Sequence, residues 1–593
     1  MRQVMCGVSA LVVSCVAFGQ NVLAQSLTSV PDNAIVMVKV NNLEQTSKKA
    51  AVLFQQWGLV AKNPMLADPL ATMQGLSGVS QGVNRTGEAA FIYFNPQRRQ
   101  PVDGQPYIVL VPVTDYPAFI KGFPDATTEE GISTATFPTS PDPMFIANWE
   151  GFAAISPNRT LLATKPTATK ATGLAAKELV GKDIVAYVNF RGFRQQAIQG
   201  MGFGRAMVIG QVEQTVAADP KRASLAPVVR AGMEQLFTGV EHVINETQSI
   251  TLGINLADDG VQTTMMAEFD PASYLGQTAA AFKGSNANLL TGLPDDKYVV
   301  TAGVAFDGAA MVKLIDDVAG PALVAANKVG ADAKPIVEYI DTVKSMCVVM
   351  KAYTVGVSSA NGKAAKSPLF DATAVLSGDA KGLIAGQKRM AAFQQEFAKL
   401  FNMPGGRPKT ITTIVENVKT LDGVSFDHMN TRIESATPGS PEQKMMDAVY
   451  GEGGMNLLMG AVNANSVVIS TFKTDAEIKK AIIAAKAQDA TVGTDAATRQ
   501  VAGKLPQNRC MVMYLDGSQL MTMVSKASES FTGVPLDYKI AAGQPPIGVT
   551  IGTDGSAVRQ DIFVPSALVQ SISAAVMEQS IKKENKKKTG GAL

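Results

Sequence analysis

Pro31-Asp32-Asn33-Ala34-Ile35-Val36-Met37-Val38-Lys39-Val40-Asn41 opens on a turn residue, runs through β-branched and apolar residues, and closes on a polar side chain. Proline with polar neighbours punctuates the backbone, and a Val/Ile-rich run of this length reads as a strand. The closing Asn suits a helix N-cap. Three later segments share this grammar: Gly181-Lys182-Asp183-Ile184-Val185-Ala186-Tyr187-Val188-Asn189, Pro294-Asp295-Asp296-Lys297-Tyr298-Val299-Val300, and Pro506-Gln507-Asn508-Arg509-Cys510-Met511-Val512-Met513-Tyr514-Leu515-Asp516.

Working outward, an amphipathic helix follows each strand. Ala50, Leu53, Phe54 and Trp57 fall on one helical face, as do Phe193, Ala197, Ile198 and Met201; Met311, Leu314, Ile315 and Val318; and Leu520, Met523 and Val524. Hairpins come next. Ile250–Leu256 turns at Asp258-Asp259-Gly260 and returns through Met265 to Phe269. Tyr353–Val357 precedes Asn361-Gly362 and Ala372–Leu376, and Val549–Ile551 precedes Asp554-Gly555 and Ile562–Val564. Asn-Gly and Asp-Gly supply the positive φ of tight hairpins. The first such pair is Ala89–Phe94 with Tyr107–Val111, across a longer loop containing Arg98 and Arg99.

The expected fold is therefore α+β: repeated strand–helix–β-hairpin modules forming mostly antiparallel sheets, with helices packed on one face. The expected division is a signal peptide at 1–24, modules at 25–179, 180–292 and 293–385, an insertion at 386–503, a fourth module with a C-terminal helix at 504–583, and a basic tail at 584–593. In the insertion the sequence predicts amphipathic helix, a turn at Asp422-Gly423, a Gly-rich connector at Gly451–Gly454, a strand at Ser466–Ser470 and a helix carrying Ile478, Ala481, Ile482 and Ala485. Phe152–Ser156 reads as a further strand.

The N-terminus carries Arg2, a short apolar run from Val8 to Phe18, and Val22-Leu23-Ala24, the pattern of a secretory signal cut after Ala24. Export to the periplasm or beyond is expected. A retained membrane anchor and a lipid anchor on Cys15 are the alternatives. No later stretch is long and apolar enough to span a bilayer. Cys6 and Cys15 fall in the signal, which leaves Cys347 and Cys510 as two separate buried thiols or as a pair.

The 593 residues carry 53 Lys+Arg against 51 Asp+Glu, a balance that argues against broad nucleic-acid binding. His242 and His428 lack a Gly-x-Ser-x-Gly elbow nearby. Gly200-Met201-Gly202-Phe203-Gly204-Arg205 lacks the Lys-Ser/Thr of a phosphate loop and follows a helix instead of a strand. Asp258-Asp259 and Asp295-Asp296 lack the alternating oxygens of a calcium loop and read as turn residues. The 26 Met are scattered through apolar runs and read as core filling. No catalytic, cofactor-binding or metal-ligating residue is assigned, and no cofactor is expected.

Ser29-Val30-Pro31-Asp32-Asn33-Ala34-Ile35-Val36-Met37-Val38, Val109-Leu110-Val111-Pro112-Val113-Thr114-Asp115-Tyr116-Pro117-Ala118-Phe119 and Gly151-Phe152-Ala153-Ala154-Ile155-Ser156 together resemble an uncharacterised family of large secreted bacterial proteins, of planctomycete type, carrying a domain of unknown function. The resemblance covers 29–165 well and the rest loosely. It implies export and an α+β fold and transfers no functional residue. The functional expectation is an exported, non-enzymatic envelope protein that binds or scaffolds, with an apolar ligand or a protein partner. A secreted hydrolase using carboxylate or Ser/Lys chemistry and a subunit of a large extracellular assembly are the alternatives. The Lys-rich tail offers a contact to the envelope.

Overall fold

The computed structural model describes residues 29–589 apart from 32, 80, 96–104, 139, 141, 166–167, 171–172, 221, 361–367, 401–408, 435–442, 444–446, 448, 452, 491, 537 and 539. The signal at 1–24, the Arg98-Arg99 loop, the Asn361-Gly362 turn and the side chains of the basic tail lie outside the described residues. Helix takes 44% and strand 31% of the described residues, and the strands pair antiparallel, so the chain is α+β. It divides into two compact units. Of the described residues, the first comprises those in 29–198, 244–276 and 556–573, and the second those in 199–243, 277–555 and 574–589.

In the first unit, the opening strand β2 (Ala34–Val40) lies antiparallel to β10 (Ile184–Asn189), with Val40 opposite Ile184 and Val36 opposite Val188. On the β2 side the sheet continues through β3 (Ala89–Phe94), β4 (Tyr107–Pro112), β8 (Phe152–Ser156), β7 (Met144–Asn148), β6 (Ile132–Ala135) and β5 (Thr127–Glu129). On the β10 side follow β11 (Thr247–Ala257), β12 (Gly260–Phe269) and β22 (Ala557–Pro565). A separate ribbon joins β1 (Ser29–Pro31) to β9 (Ala168–Lys170). Met37, Ala90, Ile92, Phe94, Ile108, Leu110 and Leu179 form one core of this unit.

The second unit is built the same way. β13 (Val300–Ala305) lies antiparallel to β20 (Met511–Leu515), with Val300 opposite Leu515. From β13 the sheet runs through β14 (Met350–Ser359), β15 (Phe370–Gly378), β19 (Ser466–Thr471), β18 (Met455–Asn463), β17 (Val424–Glu434) and β16 (Lys409–Leu421). From β20 it passes to β21 (Ile547–Asp554). Leu376, Leu383, Met459 and Val467 fill one core, and Leu225, Val228, Ala326 and Ala333 another between helices.

Local chemistry sets the element boundaries. Asp115 accepts from Ala118 N and opens the helix Tyr116–Lys121. Asp516 accepts from Ser518 N and Gln519 N and opens Gly517–Thr532. After β2 the cap is Asn42, one residue beyond the expected Asn41. The insertion holds more strand than its sequence suggests. Besides β19, β16 and β17 form a long hairpin turning at Asp422 and Gly423, and β18 returns beside β17. Thr, Lys, Glu and Asn interrupt the apolar alternation of Lys409–Leu421, so only the turn is recognisable from sequence.

Candidate functional site

Two lysines with nearly fully buried side chains and two clefts stand out among the described residues. In the first unit, Lys39 interrupts the apolar run of β2, and its side chain is fully buried. Its ammonium donates to Leu179 O at 2.8 Å and pairs with Glu88 at 3.0 Å. Burial lowers its pKa below the ordinary lysine value, and Glu88 only partly opposes this. Next to it, Asn41 Nδ2 donates to Leu179 O and Lys182 O, leaving Asn41 Oδ1 buried with no hydrogen-bond partner. Lys49 bonds both oxygens of Asp183, at 2.7 and 3.0 Å, and Asp183 also accepts from Leu256 N. These groups border a polar cleft of about 420 Å³, to which Asn42, Thr86 and Asn255 contribute. Its charged groups are engaged in ion pairs, so the cleft presents mostly amides and hydroxyls.

In the second unit, Lys473 follows β19 directly. Phe472 adopts a left-handed φ of 58°, uncommon for a bulky residue, before Thr474 caps the next helix. The Lys473 ammonium lies 2.5 Å from Asp371 Oδ1, 3.1 Å from Asp296 Oδ2 and 3.8 Å from Glu477 Oε1, and it donates to Ser358 Oγ at 3.3 Å. Sheet register assembles this set: Asp371 sits opposite Ser358 across β14–β15, and Ala372 opposite Thr471 across β15–β19. Burial works against the charge on Lys473, but the hydrogen bond and charge of Asp371, with Asp296, raise its pKa. Burial also raises the Asp371 carboxyl. Beside them, Tyr298 donates to Pro294 O at 2.9 Å, and burial with the carboxylates of Asp296, Asp371 and Asp295 holds its phenol protonated. Gly356 makes room for that ring: a Cβ there would stand 2.2 Å from Tyr298 Cε1.

The same unit carries a groove of about 530 Å³ floored by Ala380, Ile384, Ala385, Ala461 and Ala464, with Asp379, Lys381, Lys388 and Asn463 around it. Short alanine side chains leave the space, and the lysines border it. Lys388 reaches Glu416 at 2.6 Å and Asp427 at 2.7 Å. Those carboxylates outweigh desolvation, so its pKa is raised.

Several residues singled out in the sequence fall elsewhere. Cys347 and Cys510 are both free, and burial raises both thiols. His428 shares a 3.0 Å hydrogen bond with Asn456, while its neighbour Asp427 engages Lys388 and Asn417 N. His242 and Gly200–Arg205 lie inside the long helices Ala226–Glu246 and Arg194–Ala217, so the glycines form neither a loop nor a hinge. Asp258 and Asp259 occupy the β11–β12 turn. Asp296 does sit in a connection, as expected, but its carboxylate also reaches Lys473, a role that turn chemistry alone did not reveal. Among the described residues, no group of three or more His, Cys, Asp or Glu is placed to hold a metal, and no helix is long and apolar enough to cross a membrane.

No protein-family model matches the chain, and no curated protein matches it. It is similar to a solved structure described as "Structure of crystal form III of TP0453", at 8% identity and a TM-score of 0.17, over 48% of this chain and 97% of that one. A likeness at that score carries no argument for fold or function.

Proposed function

We propose that this chain is an exported, non-enzymatic envelope protein whose role is to bind, and that its ligand is amphipathic. The observation behind this reading is the alanine-floored groove of the second unit. Its volume suits a small-molecule site, and an apolar floor edged by Lys381 fits a hydrocarbon segment ending in an anionic or polar head. The secretory pattern at 1–24 supports export, the recurring strand–helix–hairpin grammar supports duplication of one binding-type module, and the basic tail supports contact with the envelope.

Native mass spectrometry on residues 25–593, purified gently from the envelope, tests this. The expected result is a stoichiometric extra mass that is lost in Ile384→Glu, which places a charge on the groove floor. A bare wild-type chain overturns the ligand reading. An integer multiple of the chain mass without added ligand also overturns it and favours the assembly reading, which Leu236, Val240 and Val243 support as an exposed stripe on the helix Ala226–Glu246.

A further inference from the structure

Lys473 and Asp371 are 2% and 5% exposed at their side chains. Asp371 Oδ1 lies 2.5 Å from the Lys473 ammonium, which also donates to Asp296 Oδ2 at 3.1 Å and to Ser358 Oγ at 3.3 Å. An ion pair in a dry site is normally held by well-aligned hydrogen bonds that offset desolvation. Here the group nearest the amine is a buried carboxyl, and the nitrogen shares its bonds among three neighbours. A further carboxylate, Asp296, touches the same nitrogen and is 39% exposed, giving the site a proton carrier open to water. We propose that Lys473 and Asp371 join in an intramolecular isopeptide bond.

The step needs no oxidant and no co-reactant. One proton passes from Nζ to the Asp371 carboxyl, which turns the ion pair into an amine beside a carboxylic acid. Burial favours that uncharged pair, while the surrounding carboxylates hold the lysine proton, so the neutral form is the minor one and its share sets the rate. The Nζ lone pair then adds to Cγ of Asp371. Asp296 takes a proton from the attacking nitrogen and returns it to the departing oxygen. The Cγ–O bond breaks, one water leaves, and an amide remains. Asp296 ends as it began. Fixed neighbours of this kind react as though at about 10⁵ M or more, which is the advantage the fold supplies. The product replaces a costly buried ion pair with a neutral amide and closes a covalent ring over β16, β17 and β18.

The first unit provides an internal contrast. Among the described residues, Lys39 has one carboxylate, Glu88, within ion-pair distance, with no second one to carry the proton. It remains an ion pair.

The test is a tryptic map of the unfolded wild-type chain taken from its own envelope. The expected product is one branched peptide holding the Asp371 and Lys473 segments, lighter than their sum by one water, with no cleavage after Lys473. Asp296→Ala, checked for native circular dichroism, is expected to return linear peptides of full mass, as is Lys473→Arg. Branching localised to these two residues distinguishes the bond from water loss at an Asp-Gly or Asn-Gly site. Cleavage after Lys473 in the wild type, with the Asp371 peptide at full mass, overturns the proposal whether or not either variant folds.

Discussion

Among the described residues, Lys39 in the first unit and Lys473 in the second have the most buried ammonium side chains of their ion pairs, and they sit in different company. Lys39 meets Glu88, whose side chain is 16% exposed, and donates its other bond to a backbone carbonyl. Lys473 meets Asp371, Asp296 and Glu477 together with Ser358. Burial prevails at the first and lowers the lysine pKa; neighbouring carboxylates prevail at the second and raise it. The number of opposing charges around a buried cation therefore sets the direction in which its pKa moves. It also decides whether a site can only attract or can also carry a proton from one group to another.

The largest effect expected from breaking this contrast is at Lys473. Lys473→Ala strands a nearly fully buried carboxylate at Asp371, and removing one partner of such a pair costs about 3–5 kcal/mol. Lys39→Met leaves Glu88 able to turn toward the water of its cleft, so about 1–3 kcal/mol is expected. Urea unfolding of both variants against the wild type measures the order; a larger loss at Lys39 would contradict the contrast.

Alkaline titration sharpens it. Because the folded pKa of Lys39 lies below 10.5, the unfolded chain binds this proton more tightly. Its contribution to stability therefore grows as pH rises from the folded value toward 10.5. The gap in urea midpoint between wild type and Lys39→Met should widen from neutral pH to about pH 10. Lys473, as an ion pair, has a folded pKa above 10.5, so it would contribute fully below that value and lose stability as pH climbs through the folded value. An amide does not titrate and shows no such loss.

An effect no larger than that of Lys39→Met is expected at Gly356→Ala. Its Cβ would meet the Tyr298 ring and push on the connection that holds Asp296. Overpacking of this kind costs about 1–3 kcal/mol, and a partial fall in the cross-linked fraction of Lys473 should accompany it.

The fold was more legible in the sequence than the site. Turn chemistry marked the strands at β2, β10 and β20 and the hairpin turns at Asp258-Asp259-Gly260 and Asp422-Gly423, because local φ requirements are written locally. Lys39 was passed over as part of the apolar run Val36-Met37-Val38-Lys39-Val40, although it is the single charge there. The Lys473 cluster left no such mark. Asp296, Ser358, Asp371 and Lys473 are dispersed along the chain, and only the β14–β15–β19 register collects them. The β16–β17 hairpin was obscured for a different reason: its strands are rich in Thr, Lys, Asn and Glu, so apolar alternation is faint where burial is slight.

Amine labelling of the fully unfolded wild-type chain tests the contrast most directly, since unfolding exposes both lysines equally and leaves only covalent chemistry to separate them. Lys39 is expected to be modified and Lys473, its nitrogen already acylated by Asp371, is not. Modification of both lysines to the same extent would contradict the contrast.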